Sequence, residues 1–174
     1  MRFVFVGNRR FVLEEMLELG LDIHCVYVIA GSHLASDIDY MPVEYSIIKT
    51  RKELLDSLSM IDFDILISNG CPYILPVNLM PKKRYVNIHP SYLPDLRGID
   101  PVIASILFER DAGASCHIMS EEIDSGDIVS RVKIPYSEDL DAGLLYHLSF
   151  IAEKKAFRLA VENNFQPRMA QVTK

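Results

Sequence analysis

The run RFVFVGNRRFVLEEMLELGLDIHCVYVIA, residues 2–30, decides the fold. Arg2 to Val6 is a short apolar run ended by Gly7, which reads as a buried strand. Phe11, Val12, Met16 and Leu19 then recur near helical spacing, with Glu14, Glu15 and Glu18 expected to face outward and Gly20 as the stop. Ile23 to Ala30 is β-branched and almost uninterrupted, as a parallel strand covered on both faces would be. A helix between two such strands is a βαβ unit, whose crossover is right-handed.

The same alternation continues outward. Gly31 to Tyr45 mixes Ser, Asp and Pro with weak periodicity and reads as loop, followed by a short strand at Val43 to Ile48. Arg51 to Leu58 reads as a helix, Phe63 to Ser68 as a strand ended by Asn69-Gly70, and Tyr85 to Ile88 as a brief strand. Pro101 opens a helix through Arg110, since proline in a first turn sacrifices no hydrogen bond. Cys116 to Met119 and Ile128 to Ile134 read as strands, and Leu140 to Asn164 as a closing helix with Leu144, Leu145, Leu148, Ile151 and Ala152 inward. Alternating strands and helices imply an α/β, Rossmann-like fold: a mostly parallel twisted sheet with helices on both faces. Neither a repeat nor a low-complexity linker interrupts it, so one domain over residues 1–174 is expected. In such sheets ligands bind beyond the carboxyl ends of the strands, which singles out the segments after Gly7, Asn69 and Ile88.

Composition narrows the function. The chain has 174 residues, 49% of them hydrophobic and 24% charged, enough apolar side chain for a buried core and no case for disorder. A net charge of −6 without a basic run argues against nucleic acid, whose binding draws on neutralised phosphates. Cys25, Cys71 and Cys116 are odd in number and form no C-x-x-C pair, which suits reduced thiols in a cytoplasmic protein and disfavours zinc. The apolar start is too short for a membrane span or a signal-peptide core, so no membrane partner is expected.

Two stretches carry candidate chemistry. In Asn87-Ile88-His89-Pro90-Ser91-Tyr92-Leu93-Pro94 a strand runs into a proline-stiffened turn, and Asn87 and His89, two apart, share a strand face. An amide donor and an imidazole converging on one oxygen is what stabilising an oxyanion requires. The plain alternative is a strand end with an ordinary hydrogen-bonded histidine. In Glu121-Glu122-Ile123-Asp124-Ser125-Gly126-Asp127, Gly126 permits a tight turn between strands, and a hairpin loop of solvated charge is the alternative. Its acids do not follow the EF-hand order, so no metal is expected. His117, read alone beside Cys116, is an interior histidine; His24, His33 and His147 show no partner pattern. Gly7-Asn8-Arg9-Arg10 lacks the G-x-G-x-x-G spacing of a dinucleotide loop, and Ser91 is not in a G-x-S-x-G elbow.

Together NIHPSYLPDLRG and, about thirty residues later, HIMSEEIDSGDI resemble the 10-formyltetrahydrofolate-dependent formyltransferase family, which includes glycinamide ribonucleotide, methionyl-tRNA and amino-sugar members. Similarity is strongest from Asp64 to Pro135. The resemblance implies Asn87, His89 and Asp124 as a catalytic trio, with His117 near the acid. It implies folate-donor contacts from Gly70, Tyr73, Ile74 and Leu75 on one side and from His117, Ser120, Glu121, Ile123 and Asp124 on the other. Asn8, Arg9, Arg97, Gly98 and Asp100 are the expected substrate-binding residues, and Arg97-Gly98-Ile99-Asp100-Pro101 is closest in form to the amino-sugar and peptide-synthetase members. Asn8-Arg9-Arg10 departs from the glycine- and serine-rich phosphate loop of the purine-pathway members.

The activity this implies is transfer of a formyl group from 10-formyltetrahydrofolate to a primary amine of a small substrate, a nucleotide-linked amino sugar first. A carrier-bound aminoacyl group and glycinamide ribonucleotide follow, and hydrolysis of the formyl group or a non-catalytic folate-binding module are the readings outside the transferase class. The stretch between Gly31 and Asp62 is shorter than the family's usual one.

Overall fold

A computed structural model describes residues 1–171, which pack as two compact units, 1–86 and 87–171. The first unit holds β1 (Arg2–Gly7), α1 (Phe11–Glu18), β2 (Asp22–Ile29), α2 (His33–Asp37), β3 (Tyr45–Ile48), α3 (Arg51–Ser59), β4 (Ile65–Asn69) and the opening residues of β5 (Arg84–His89). Its strands lie in the order β3-β2-β1-β4, and each adjacent pair is parallel. β1 is therefore interior, with Phe5 opposite Val26 on one side and Ile67 on the other, all fully buried. That accounts for its unbroken apolar run: both faces of such a strand are covered.

The second unit holds the remainder of β5, α4 (Pro101–Leu107), β6 (Ala112–Ile118), β7 (Ile128–Ile134) and α5 (Ala142–Glu162). β6 and β7 are antiparallel, and their register slips between Cys116 and His117. A bulge of this kind bends a strand and re-aims the side chain beside it. α5 starts at Asp141, whose carboxylate accepts from the Leu144 amide at 2.8 Å, and lays Ala152 and Ala156 against Ala114 of β6. The three small residues let helix and strand approach closely. Val102 of α4, Ala112 and Leu145 form a neighbouring cluster.

Several boundaries differ from the sequence reading. Gly31 to Tyr45 is not all loop: α2 and a 3₁₀ turn at Ile38–Tyr40 occupy it, because Ser32 caps α2 by accepting from the Ala35 amide at 3.2 Å. β6 begins at Ala112 rather than Cys116, since small residues such as Gly113 carry little strand signal. α4 ends at Leu107, three residues short of Arg110. Glu15, expected outward, is buried on α1, while Leu144, expected inward, is 45% exposed in the first turn of α5. No helix among the described residues is long and apolar enough to cross a membrane.

Candidate active site

The second unit builds its polar centre at the end of β5. The turn leaving His89 is pinned from beneath by Ser115 of β6: its hydroxyl donates to the Ser91 carbonyl at 2.7 Å and accepts from the Leu93 amide at 2.9 Å. Arg131 of β7 donates to the Leu93 carbonyl at 2.9 Å and stacks on the Tyr92 ring, 4.2 Å from its centroid. The chain then passes through Leu96 and Gly98, both with positive φ (56° and 88°). This brings the Leu96 carbonyl to 3.1 Å from His89 Nε2 and the Gly98 amide to 2.9 Å from Asp124 Oδ2.

Asp124 is the hub. Its Oδ2 faces His89 Nδ1 at 3.4 Å and accepts from Gly98; its Oδ1 accepts from Asn87 Nδ2 at 3.4 Å and faces His117 Nε2 at 3.3 Å. Asn87 Nδ2 also lies 3.2 Å from His117 Nε2. Thus Asn87 and His89 do share a strand face, and the bulge after Cys116 delivers His117 to the same carboxylate. His89, His117 and Asp124 are all buried, and Asn87 is half-buried.

Hydrogen-bond partners restrict where protons sit. His117 Nδ1 lies 3.0 Å from the Ile118 carbonyl, an acceptor only, while its Nε2 faces both the Asp124 carboxylate and the Asn87 amide nitrogen. His89 likewise has an acceptor at each nitrogen, the Leu96 carbonyl and Asp124. Only the imidazolium satisfies both. Burial, the larger influence, nevertheless holds the His89 pKa below the ordinary histidine value, against the upward pull of Asp124 and Leu96. Burial by itself would raise the Asp124 carboxyl; the hydrogen bond to His117, the charge of His89 and the Gly98 amide outweigh it and hold the group below its ordinary value. The site therefore pairs an ionised acid with an imidazole that resists a proton but is surrounded by groups that would stabilise one.

The loop after β6 is stitched to itself through Ser120 and Ser125, whose hydroxyls both donate to the Glu122 carbonyl at 2.9 Å. Glu121 and Ile123 point outward from it, and Asp124 turns inward with φ 52°. Gly126 follows where no side chain fits: a Cβ there would lie 1.8 Å from the Ile118 carbonyl oxygen. Of the expected substrate-binding residues in this unit, Gly98 uses its amide on Asp124, and Arg97 directs Nε and Nη2 to Gln171 Oε1 at 3.2 and 2.8 Å. Asp100 is exposed at the start of α4 with φ 51°.

In the first unit Asn8, Arg9 and Gly70 come together. Arg9 Nη1 donates to Asn8 Oδ1 at 3.0 Å, the Asn8 amide donates to the Asn69 carbonyl at 3.2 Å, and a Cβ on Gly70 would meet Asn8 Oδ1 at 1.9 Å. The following segment is fastened by Arg51 Nε to the Ile74 carbonyl at 2.9 Å and by the Tyr73 hydroxyl to the Lys49 carbonyl at 2.9 Å. Leu75 is buried in this unit's core, and Ile74 is 58% exposed.

Sequence reasoning missed Gln171, Ser115 and the Leu96 carbonyl. A serine inside the apolar run AGASCHI was a usable signal for Ser115; nothing local marked the other two. No group of three metal-ligating side chains is found among the described residues.

A family model described as formyl transferase matches residues 39–161, the span that includes Asn87, His89, His117 and Asp124. The chain belongs to the formyl transferase family. A methionyl-tRNA formyltransferase of Pelagibacter ubique (strain HTCC1062) is 30% identical over 191 aligned positions, covering 97% of this chain and 61% of that protein. The chain thus spans about three fifths of that relative's length. Among solved structures, a sugar N-formyltransferase from Shewanella sp FDAARGOS_354 superposes with a TM-score of 0.80 at 19% identity, covering 100% of this chain and 74% of that one. A phosphoribosylglycinamide formyltransferase from Anaplasma phagocytophilum superposes with a TM-score of 0.80 at 23% identity, covering 93% and 85%. Formyl transferases that differ in their named acceptors therefore share this α/β fold.

Proposed function

We propose that this chain catalyses transfer of a formyl group from 10-formyltetrahydrofolate to a primary amine, with Asn87, His89 and Asp124 as the reacting centre. The observation that carries the reading is the meeting of all three, with His117, on one buried carboxylate. The donor is a substrate here, and no metal or covalent enzyme intermediate enters the scheme. Ile123, exposed on the loop that carries Asp124, is an apolar side chain suited to a flat pterin ring.

In the reaction the amine nitrogen bonds to the formyl carbon, and the carbonyl oxygen takes on negative charge. Asn87 Nδ2 supplies an N–H donor for that oxygen, and His89, as its proton affinity rises beside the new charge, becomes the imidazolium whose two N–H groups its surroundings already accommodate. Asp124 stabilises this cation and relays to His89, directly or through water, the one proton that the attacking nitrogen loses. Collapse breaks the bond from the formyl carbon to the folate nitrogen, which takes that same proton from His89 as it leaves. Burial keeps His89 from holding a proton beforehand, so the stabilisation is concentrated where the charge develops.

For the acceptor, the R-G-x-D-P element favours a nucleotide-linked amino sugar. A tRNA-borne amine is the second reading, favoured by the name of the Pelagibacter relative, while the net charge of −6 speaks against a broad phosphate-neutralising surface on this chain. The test incubates purified protein with 10-formyltetrahydrofolate and a panel of amines, following product mass and tetrahydrofolate release. Formylated amine is expected. Formate release that no amine accelerates would make the protein a hydrolase, and no turnover with any acceptor would remove the catalytic reading.

A further inference from the structure

We infer that Gln171 is a positioning residue for this centre, fastening the backbone of Asp124 to the Arg97–Gly98 turn so that both loops meet His89 in register. The inference rests on the reading above that Asp124 and His89 belong to the reacting centre. Gln171 Nε2 donates to the Asp124 carbonyl at 2.9 Å and to the Gly126 carbonyl at 2.7 Å, while its Oε1 accepts from Arg97 Nε and Nη2. A primary amide has two N–H groups and two carbonyl lone pairs. All four are engaged, two on each loop, and the side chain is only 9% exposed.

Both loops need such support. Asp124, Leu96 and Gly98 all have positive φ, and the first two are residues for which that conformation is sparsely populated. Gln171 holds the carbonyl of Asp124 itself, and Arg97 is the immediate neighbour of both Leu96 and Gly98, which supply the acceptor for His89 and the donor for Asp124. The segment carrying Gln171 is in turn anchored to the start of β7: the Ile128 amide donates to the Met169 carbonyl at 2.7 Å and the Arg168 amide to the Ile128 carbonyl at 2.9 Å. One side chain thus sets the spacing between the two loops without itself reaching His89 or the Asp124 carboxylate.

The experiment compares Gln171→Leu, Gln171→Glu, Arg97→Met and the Gln171→Leu/Arg97→Met double variant, each checked for native circular dichroism. Gln171→Glu preserves the acceptor for Arg97 and loses both donors, so it probes the Asp124 side if the leucine variant fails to fold. Either Gln171 variant is expected to lower kcat about ten- to a hundredfold, as small misplacements of reacting groups do, with KM for the folate donor changed by less than about threefold. Imidazole resonances of His89 and His117, read by NMR at fixed neutral pH on histidine-labelled protein, are expected to move in both. The double variant should be no worse than the poorer single, since both break the same link. Unmoved imidazole resonances in a folded Gln171 variant, or losses that add in the double variant, would overturn the inference. The resonances are read without turnover, so they test the link even if the wild-type protein transfers no formyl group.

Discussion

His89 Nδ1 faces Asp124 Oδ2 at 3.4 Å inside a pocket where both side chains are nearly inaccessible to water. In such surroundings the carboxylate acts on the ring with little solvent screening, so its removal reaches the ring's proton affinity directly. It also frees the Gly98 amide from its acceptor. Asp124→Asn keeps size and shape but cannot stabilise an imidazolium or take up the ammonium proton. Its kcat for formyl transfer is expected to fall by about 10²–10³, with native circular dichroism retained. A folded variant with wild-type turnover would take Asp124 out of the mechanism.

Asn87 makes a different prediction because it contributes donors rather than charge. Its amide lies within hydrogen-bond distance of His117 Nε2 and Asp124 Oδ1 in the resting network, and in the proposed mechanism it also donates to the developing oxyanion. Asn87→Ala is expected to lower kcat by about 10²–10³. Because no charge is removed, the pH dependence of the residual rate should keep its wild-type shape, which a pH–rate series would measure.

What the sequence made legible follows from the range of the interactions. β1, β2 and β7 were read within a residue or two because their apolar runs are local consequences of burial. The convergence of Asn87 with His89 was legible for the same reason, since two-residue alternation on a strand is local geometry. α2 escaped because it is short and rests on a single cap at Ser32, and Glu15 because an acid at a helical position gives no sign of being buried. Gln171 was out of reach altogether: it meets Asp124 across 47 residues of chain, and nothing in its own neighbourhood foretells that.

Gly126 links the fold to the site. A methyl group there would overlap the backbone carbonyl of Ile118, which no side-chain rotation can relieve, and the Gly126 carbonyl itself accepts from Gln171. Gly126→Ala is expected to destabilise the protein by about 1–3 kcal/mol, the usual cost of overpacking, and to reduce turnover through the displaced Asp124 loop. Urea denaturation of the wild type and variant, compared at equal m-value, measures the first effect. A midpoint shift of zero would show that the loop has room the structure denies it.

The two titrating partners also fix how stability depends on pH. His89 has a folded pKa below its ordinary 6.5, so below that pH the unfolded chain binds protons that the folded ring refuses. Stability therefore falls as pH drops from 6.5 toward the folded value, and the loss is complete once the ring is protonated in both states. Asp124 acts lower down: its folded pKa lies under the ordinary 3.8, so its contribution is present above that pH and is lost as pH falls through the folded value. Asp62 and Asp111, lowered by hydrogen bonds to Lys83 and to the Tyr136 amide respectively, share that second, more acidic range but not the first. His89→Asn should accordingly flatten the decline in melting temperature as pH is lowered from 6.5 while leaving the steeper acid limb in place. Calorimetric scans of both proteins downward from that pH check it; parallel declines in wild type and variant would mean that His89 is as easily protonated in the folded protein as in the unfolded chain.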